Sequence, residues 1–321
     1  MITKNSKIVV LMGGPSTEAE ISKKTGKAVA DALLSLGYNV TPCEYIPDHV
    51  VEDLKRLSAE VVFIALHGKY GEDGTIQSVL ELAKIPYTGS GVTSSAITMD
   101  KIVSSRIFKQ AGLPMSKSQA YYLSEGIDAV EKEILNEFSF PVVLKPACEG
   151  STIGIEIVRE KENLHEALQR VFQVEPRILA ESYLAGDEFT VSVLDGHALP
   201  VIQICPHSGQ YDFHSKYTKG ATDYIVPANI PAELSGLMGS IAEKGYKVAE
   251  CAGVVRFDFK LDSEGRPFIL EANSIPGMTA TSLVPKAAAA AGIDFPEHLQ
   301  GVVCQRPGVV GLGGDLGGHQ V

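Results

Sequence analysis

The most constraining feature of the sequence is a run near its carboxyl end, residues 253–283, which reads GVVRFDFKLDSEGRPFILEANSIPGMTATSL. Apolar and polar residues alternate on both sides of an Asp-Ser-Glu-Gly turn at 262–265, which predicts two strands of a β-hairpin. Pairing Leu261 with Arg266 across the turn sets the antiparallel register. That register places Asp258 opposite Ile269 and Arg256 opposite Glu271.

The two faces of this predicted hairpin differ in chemistry. The apolar face, which belongs in a core, carries Phe257, Phe259, Phe268 and Leu270. The polar face carries Arg256, Asp258, Glu271 and Asn273. Carboxylate and amide oxygens suit magnesium, which proteins bind through one or two carboxylates while substrate phosphates and water complete the shell. The hairpin therefore predicts a nucleotide site, with an exposed sheet face and an ordinary salt bridge as the alternative; a bulge in the turn would reverse the faces.

Composition and charge narrow the class of protein. The 321 residues are 45% hydrophobic and 21% charged, which is typical of a globular protein with two or three domains. The net charge of -11 argues against a nucleic-acid partner. Five widely spaced cysteines without a Cys-x-x-Cys pair predict neither a disulfide framework nor a zinc site. The first apolar run is too short for a signal peptide or a membrane span, so we expect a cytoplasmic protein without a membrane partner.

The first part of the chain alternates strands and helices, which predicts a βαβαβ unit with a parallel sheet. The predicted strands are 7–12, 38–44 and 61–66, and the predicted helices are 16–36 and 48–57. Loops 13–18 and 67–74 would lie at the carboxyl edge of this sheet, where open α/β sheets bind ligands. Neither loop contains a Gly-x-Gly-x-x-Gly fingerprint. Glu18 and His67 in these loops have structural interpretations as well as functional ones.

Later segments suggest further parts of a nucleotide site. Residues 86–99 are small and polar and predict a hinge into a second domain. Lys145 ends a predicted strand and precedes a Gly-Ser-Thr-Ile-Gly loop at 150–154, which suits a phosphate. The tyrosine-containing segment 206–228 has the length of a lid. The glycine-rich tail at 305–321 predicts poor order.

Taken in order, eight motifs between about residue 7 and about residue 300 resemble the D-alanine:D-alanine ligase family of ATP-grasp enzymes. They are GGPSTEAEIS (13–22), ALHGKYGEDGTIQ (65–77), PYTGSGV (86–92), MDK (99–101), VLKPACEGSTIG (143–154), GDEFTV (186–191), KYTKGATDY (216–224) and LEANSIPGMTATSLVP (270–285). The resemblance implies an α/β fold of the ATP-grasp type, α+β in its carboxyl-terminal part. It would comprise a parallel-sheet domain (1–99), a small central α+β domain (100–185) and an antiparallel-sheet domain (186–304).

The same resemblance implies an activity and its cofactors. The family joins two D-alanine molecules through a D-alanyl phosphate, using ATP and two magnesium ions that manganese can replace, for peptidoglycan precursors. A homodimer is expected on the same ground. For ATP the implied residues are Lys101, Lys145, Glu149, Ser151, Glu181, Glu188 and Lys216. For the metal they are Asp258, Glu271 and Asn273.

Substrate and catalytic roles also follow from the resemblance. The substrate residues would be Glu18 and His67 for the first D-alanine and Ser282 and Leu283 for the second. The catalytic residues would be Glu18, Ser151, Tyr217 and Arg256. Of these, Ser151 and Tyr217 would link to Glu18 and hold the lid closed, and Arg256 would stabilise an oxyanion. Lys216-Tyr217 resembles the form of this loop that is specific for D-alanine over D-lactate.

Three other functions are alternatives to this interpretation. Another ATP-grasp amino-acid ligase would share the ATP and metal residues, but Glu18, Ser151, Tyr217 and Ser282 together match the D-alanine pattern. A non-catalytic nucleotide-binding module has no need of Arg256 beside the metal ligands. A dinucleotide-dependent oxidoreductase lacks the glycine fingerprint.

Overall fold

The computed structural model describes residues 2–209, 211–212, 215–216, 218, 220–294 and 299. The predicted tail at 305–321 lies outside the described residues. Within them, the strands form three sheets, one parallel and two antiparallel. None of the helices in this part of the chain has the length and hydropathy that crossing a membrane requires.

The amino-terminal sheet is parallel, with strand order β2-β1-β3. Its strands are β1 (Lys7–Met12), β2 (Asn39–Glu44) and β3 (Val61–Ile64), and its helices are α1 (Ala19–Ser35), α2 (Val50–Arg56) and α3 (Thr75–Ala83). The inner residues of β1 are buried on both faces, because apolar clusters lie on each side of the sheet. The predicted βαβαβ unit is confirmed.

Two helices follow this sheet, α4 (Val92–Met99) and α5 (Lys101–Gln110). The predicted hinge at 86–99 is therefore wrong for its second half, which is helical. Three buried hydroxyls of α4 have partners. Thr98 donates to the carbonyl of Ser94, and Ser95 donates to that of Ser90. Ser94 itself donates to the thiol of Cys251 at 3.4 Å. Asp100 caps α5 by accepting from the backbone N–H groups of its first turn.

The middle sheet is antiparallel, with strand order β4-β7-β5-β6. Its strands are β4 (Ser118–Tyr122), β5 (Val142–Pro146), β6 (Glu156–Val158) and β7 (Arg177–Ser182). Its helices are α6 (Ile127–Glu137) and α7 (Leu164–Val174), with 3-10 turns at Leu123–Glu125 and Lys161–Asn163. Both helices bury an apolar stripe against the sheet, and this leaves the end of β5 and the loop after it for the site.

The third sheet is antiparallel and carries the hairpin. Its strand order is β11-β10-β8-β12-β13, with β9 paired to β8. The strands are β8 (Glu188–Leu194), β9 (His197–Ala198), β10 (Ile202–Pro206), β11 (Thr222–Ile225), β12 (Val254–Leu261) and β13 (Pro267–Asn273). Helix α8 (Ala232–Val248) packs on this sheet, and helix α9 (Leu283–Ala290) follows β13.

The register of β12 and β13 differs from the predicted one. Leu261 pairs with Pro267 instead of Arg266, so the turn is one residue longer. A bulge at Leu270 then adds a second residue to β13. The observed pairs beyond this bulge are Asp258 with Glu271 and Arg256 with Asn273, where Ile269 and Glu271 were predicted as the partners.

These two shifts cancel in their effect on the faces of the hairpin. A slip of one residue turns every side chain to the opposite face, and a slip of two residues restores the original one. Arg256, Asp258, Glu271 and Asn273 therefore share a face, as predicted, although their partners differ. The sequence does not mark the bulge, because Leu270 ends a run of three apolar residues, 268–270, in which none stands out as the extra one.

The same bulge changes which residues of β13 lie on the apolar face. Phe257 and Phe259 are fully buried in the core beneath α8, as predicted. Their partners on β13 are Ala272 and Ile269, and both are in that core. Phe268 and Leu270 are only half-buried and lie outside it, so their predicted place in the core is wrong.

Gly245 determines how closely α8 approaches the strand that carries Arg256. A Cβ atom at Gly245 would lie 2.7 Å from the ring of Phe257, which is fully buried and has no space to move. We expect Gly245→Ala to lower the free energy of unfolding by about 1 to 3 kcal/mol, a typical cost of overpacking a core. Chemical denaturation measures this change.

Gly236 is the matched control, because it lies in the same helix and a Cβ atom there meets nothing within 4 Å. Gly236→Ala is expected to raise stability by about 0.5 to 1 kcal/mol through helix propensity. Equal effects of the two substitutions would show that the approach of α8 to Phe257 is not tight.

Candidate active site

A cavity of about 540 Å³ is lined by residues from the first turn of α1, the loops after β3 and β5, the 206–228 segment, β12, β13 and the start of α9. Most of the predicted site residues line it. They are Glu18, His67, Lys101, Glu149, Ser151, Lys216, Arg256, Glu271, Asn273, Ser282 and Leu283. Segments far apart in sequence therefore place carboxylates, cations and a helix start around one space.

Other predicted residues lie outside the lining of this cavity. Lys145 and Glu181 form a buried ion pair between neighbouring strands. Glu188 pairs with Lys260 at 3.5 Å, and burial raises the pKa of this glutamate. Tyr217 lies outside the described residues.

Glu271 is surrounded by cations at the centre of the site. Its carboxylate lies 3.3 Å from the ammonium of Lys101. Burial alone would raise the pKa of Glu271, but the charges of Lys101, Lys216, Lys145 and Arg256 outweigh it and lower the pKa to about 2. Glu271 is therefore an ionised oxygen donor at neutral pH.

Arg256 and Asp258 form a bidentate pair beside Glu271. Both carboxylate oxygens of Asp258 accept from the guanidinium of Arg256 at 2.9 Å, and Thr190 donates to one of them at 2.7 Å. Burial opposes the charge of Arg256, but the attraction of Asp258 is larger and raises the pKa of the guanidinium. The arginine is thus fixed and charged at the cavity wall.

The metal ligands implied by the sequence fit a hard cation. Asp258 and Glu271 are paired residues on one face of the hairpin, and Asn273 is the next residue on that face of β13. Glu271 and Asn273 line the cavity, whereas Asp258 lies behind Arg256 and outside the lining. The amide oxygen of Asn273 also accepts from the N–H of Ile275 at 3.1 Å, which fixes the side chain. Carboxylate and amide oxygens without thiolate or imidazole nitrogen are the donor set of magnesium.

Glu18 lines the same cavity as this charge cluster. Ser151 donates a short hydrogen bond to the Glu18 carboxylate. The loop comes close, since a Cβ atom at Gly150 would lie 2.8 Å from a carboxylate oxygen of Glu18. Ser151 and Thr152 adopt positive φ values of 50° and 64° at this point. No lysine or arginine within the described residues forms an ion pair with Glu18, so its charge faces the cavity.

His67 is held beside Glu18 by two residues that the sequence did not single out. Its Nε2 atom lies 2.9 Å from the hydroxyl of Thr25, and its Nδ1 atom lies 3.5 Å from the carboxylate of Glu72. Burial raises the pKa of Glu72. Thr25 and Glu72 also line the cavity. Their spacing in the sequence gives no sign of this contact.

The start of α9 also lines the cavity. Ser282 caps the helix in an extended conformation, and its hydroxyl accepts from the N–H of Thr279 at 3.1 Å. The N–H groups of a first helical turn have no partner within the helix, and the helix dipole favours an anion there. Ser282 and Leu283 thus suit a carboxylate.

Arg177 does not line the cavity, but it holds in place Lys101 and the start of the loop after β5. Its guanidinium donates to Asp100, which caps the helix that begins with Lys101, at 2.7 Å. It also donates to the thiol of Cys148 at 3.0 Å and to Glu175 at 3.3 Å. The sequence analysis missed this role, because only the tertiary fold brings these residues together.

Comparison with known proteins identifies the family. The family model described as the D-ala D-ala ligase C-terminus matches residues 107–303, and the model of the D-ala D-ala ligase N-terminus matches residues 47–90. The chain belongs to the D-alanine–D-alanine ligase family. The resemblance inferred from the eight motifs is confirmed.

Relatives of this ligase family match over nearly the whole chain. The D-alanine–D-alanine ligase of Moorella thermoacetica is 46% identical, over 92% of this chain and 98% of the relative. The crystal structure of D-alanine–D-alanine ligase from Bacillus anthracis complexed with ATP has a TM-score of 0.82 and 34% identity, covering 93% of this chain and 96% of that one. A D-Ala:D-Ser ligase from Enterococcus faecalis has a TM-score of 0.80 and 28% identity, covering 94% and 99%. The predicted ATP-grasp fold class is confirmed.

Proposed function

We propose that this chain joins two D-alanine molecules to D-alanyl-D-alanine at the expense of ATP, through a D-alanyl phosphate. One observation carries the proposal. A single cavity is lined by Glu18 and His67, by a cationic cluster around Glu271, and by the start of α9. An amino acid has an ammonium and a carboxylate, and such a cavity places the carboxylate toward the cations.

The chemistry explains why so much positive charge is needed. A carboxylate is a poor acylating agent, so an oxygen of the first D-alanine takes the terminal phosphoryl group of ATP and ADP leaves. The amine of the second D-alanine then attacks the acyl carbon, and the tetrahedral intermediate expels phosphate as the amide forms. Negative charge accumulates in both steps, and fixed cations in a dry site stabilise it.

The ATP would be held by residues of the middle and third sheets. We assign Lys101, Lys145 and Lys216 to the phosphates and the loop from Glu149 to Gly154 to their cover. Glu181 would accept from the adenine amine, and Glu188 would bind the ribose hydroxyls. Magnesium, for which we propose two ions that manganese can replace, would be held by Asp258, Glu271 and Asn273 and would neutralise phosphate charge.

The amino-acid substrates would occupy the remaining walls. Glu18, beside His67, would bind the ammonium of the first D-alanine. Arg256 would donate to the oxyanion of the tetrahedral intermediate. Ser282 and the backbone N–H of Leu283 would bind the carboxylate of the second D-alanine at the start of α9.

Water has to be excluded, because an acyl phosphate hydrolyses. Ser151 closes the loop over Glu18 by its hydrogen bond to that carboxylate. We propose that the 206–228 segment completes this closure with Tyr217 and gives the preference for an amine over the hydroxyl of D-lactate. The domain limits at 99 and 185 stay predictions.

We further propose a cytoplasmic enzyme of peptidoglycan precursor synthesis, since ATP is a cytoplasmic substrate. The homodimer also stays a prediction, and light scattering of the purified protein measures it.

Phosphate release from ATP, with the product identified by mass, tests the proposed function. We expect magnesium-dependent release with D-alanine, formation of D-alanyl-D-alanine, and little release without D-alanine. D-alanine plus D-lactate or plus D-serine, compared with D-alanine alone, identifies the second substrate. Absence of D-alanine-stimulated turnover would refute the proposal, and preferential formation of D-alanyl-D-lactate or D-alanyl-D-serine would refute its second substrate.

A further inference from the structure

Lys286 lies beside the start of α9 and has no place in the mechanism described above. It is four residues after Ser282, so the two residues share a side of the helix. Its ammonium lies 4.0 Å from the ring centroid of Tyr224, which lines the cavity from β11. In the described part of the chain, no carboxylate lies within ion-pair distance of this ammonium. The cation–π contact with Tyr224 is therefore the interaction of the Lys286 ammonium on which the inference is built.

Tyr224 belongs to the 206–228 segment and contacts a second tyrosine of that segment, Tyr211. The hydroxyls of Tyr224 and Tyr211 lie 3.0 Å apart, and their rings meet edge to face with centroids 6.4 Å apart. The ammonium of Lys216 lies 5.1 Å from the ring centroid of Tyr211. Two lysines and two tyrosines therefore form a continuous series of contacts, which we call the aromatic latch. Its members are Lys286, Tyr224, Tyr211 and Lys216.

The aromatic latch also has an apolar base. The rings of Tyr211 and Tyr224 pack against a buried cluster that includes Leu283 and Ala287 of α9 and Ile204 of β10. Moving this part of the segment away from α9 would therefore break the cation–π contacts and expose apolar area. Burial lowers the pKa of Lys286, and a partly desolvated ammonium interacts more strongly with an aromatic face than a hydrated one does.

We propose that Lys286 is a positioning residue for the second amino acid, acting through Tyr224 to hold Tyr211 and Lys216 against the start of α9. This inference rests on the proposed function, because it assigns the start of α9 to the carboxylate of the second substrate. The ammonium also adds a positive charge one helical turn from that carboxylate site, which favours an anion there. Loss of Lys286 loosens the second amino-acid site, which it adjoins, more than the ATP site, which the latch reaches only at Lys216.

Substitution by methionine and by arginine separates charge from packing. Lys286→Met keeps an apolar stem but removes the cation, whereas Lys286→Arg retains a cation that stacks on tyrosine. Lys4→Met is the matched control, because the Lys4 ammonium lies over the ring of Tyr38, at 6.0 Å, and neither residue lines the cavity.

Two readouts test the proposal. Initial rates against D-alanine concentration at saturating ATP give separate Michaelis constants for the two amino-acid sites. We expect Lys286→Met to raise the constant of the second site by about fivefold, as one partly desolvated cation–π contact predicts. The constant for the first site should stay within about twofold, and the constant for ATP should rise less than that of the second site, because Lys216 is the latch member farthest along the series from Lys286. Lys286→Arg should restore the second constant, and Lys4→Met should leave all three unchanged.

Tryptic cleavage after Lys216, followed by mass spectrometry of the unliganded protein, is the readout that does not need turnover. We expect cleavage to be faster in Lys286→Met than in the unsubstituted chain, in Lys286→Arg or in Lys4→Met. A second Michaelis constant that is unchanged in Lys286→Met overturns the proposal, and so does an arginine variant that behaves like methionine. Unchanged cleavage in Lys286→Met would refute the contact of Lys286 with Tyr224. Failure of the unsubstituted chain to make a dipeptide would instead refute the proposed function.

Discussion

Glu271→Gln is expected to lower kcat by at least about a thousandfold, because the substitution removes the ionised donor at the centre of the charge cluster. The amide is nearly the same size as the carboxylate, so the strand pairing with Asp258 is kept. A neutral ligand binds magnesium weakly, and the phosphoryl transfer then loses the neutralisation that the metal supplies. Raising the magnesium concentration should not restore the rate.

Melting and circular dichroism measurements distinguish a loss of catalysis in Glu271→Gln from a loss of the folded structure. Glu271 is the counter-charge for Lys101, Lys216, Lys145 and Arg256, so the variant should melt at a lower temperature but with an unchanged circular dichroism spectrum. Glu264→Gln is the matched control, since Glu264 is exposed in the turn of the same hairpin. Near-normal activity of Glu271→Gln would mean that the metal is bound elsewhere.

Arg256→Lys is expected to lower kcat by about a hundredfold to a thousandfold, the usual effect of removing one oxyanion donor. Lysine keeps the positive charge and one contact with Asp258, so no buried carboxylate is left without a cation. It cannot reproduce the planar guanidinium, which bonds Asp258 through two N–H groups in a residue that lines the cavity. The Michaelis constant for ATP should change by less than about threefold, because the loss is specific to the transition state.

Arg266→Lys is the control for this variant, because Arg266 makes a comparable pair with Asp262 at the exposed end of the same hairpin. It should turn over at the rate of the unsubstituted chain. If Arg256→Lys instead raised the Michaelis constant for ATP with kcat unchanged, Arg256 would be a nucleotide-binding residue and its oxyanion role would be refuted.

The local pattern of apolar and polar residues correctly predicted the helices and strands that are long and strongly periodic. The amino-terminal βαβαβ unit follows from continuous apolar strands separated by helical periodicity, and its limits agree within a few residues. Helix α4 was missed because Val-Thr-Ser-Ser has weak helix propensity, and its buried hydroxyls find their partners only in the folded chain. The polar face of the hairpin was predicted correctly although the turn and the bulge each shift the register, because the two shifts cancel beyond the bulge. On the apolar face, Phe268 and Leu270 were placed wrongly.

The site was predictable only where residues follow one another in a strand or a loop. Arg256 and Asp258 are two residues apart, and β alternation puts them on one face. Thr25, Arg177 and Lys286 reach their partners only through tertiary contacts, so neither spacing nor composition pointed to them. The ion pair of Lys145 with Glu181 likewise depends on which strands are neighbours in the middle sheet.

Oxygen transfer from the first substrate to phosphate tests the central claim most directly. The ligation assay would be run with ATP and with D-alanine that carries ¹⁸O in both carboxylate oxygens, and the released phosphate analysed by mass spectrometry. Because a carboxylate oxygen attacks the phosphorus and leaves with it, the account predicts one ¹⁸O atom in each phosphate released and one lost from the dipeptide's new amide. Unlabelled phosphate released alongside D-alanyl-D-alanine would contradict it, since the carboxylate would then not have been phosphorylated.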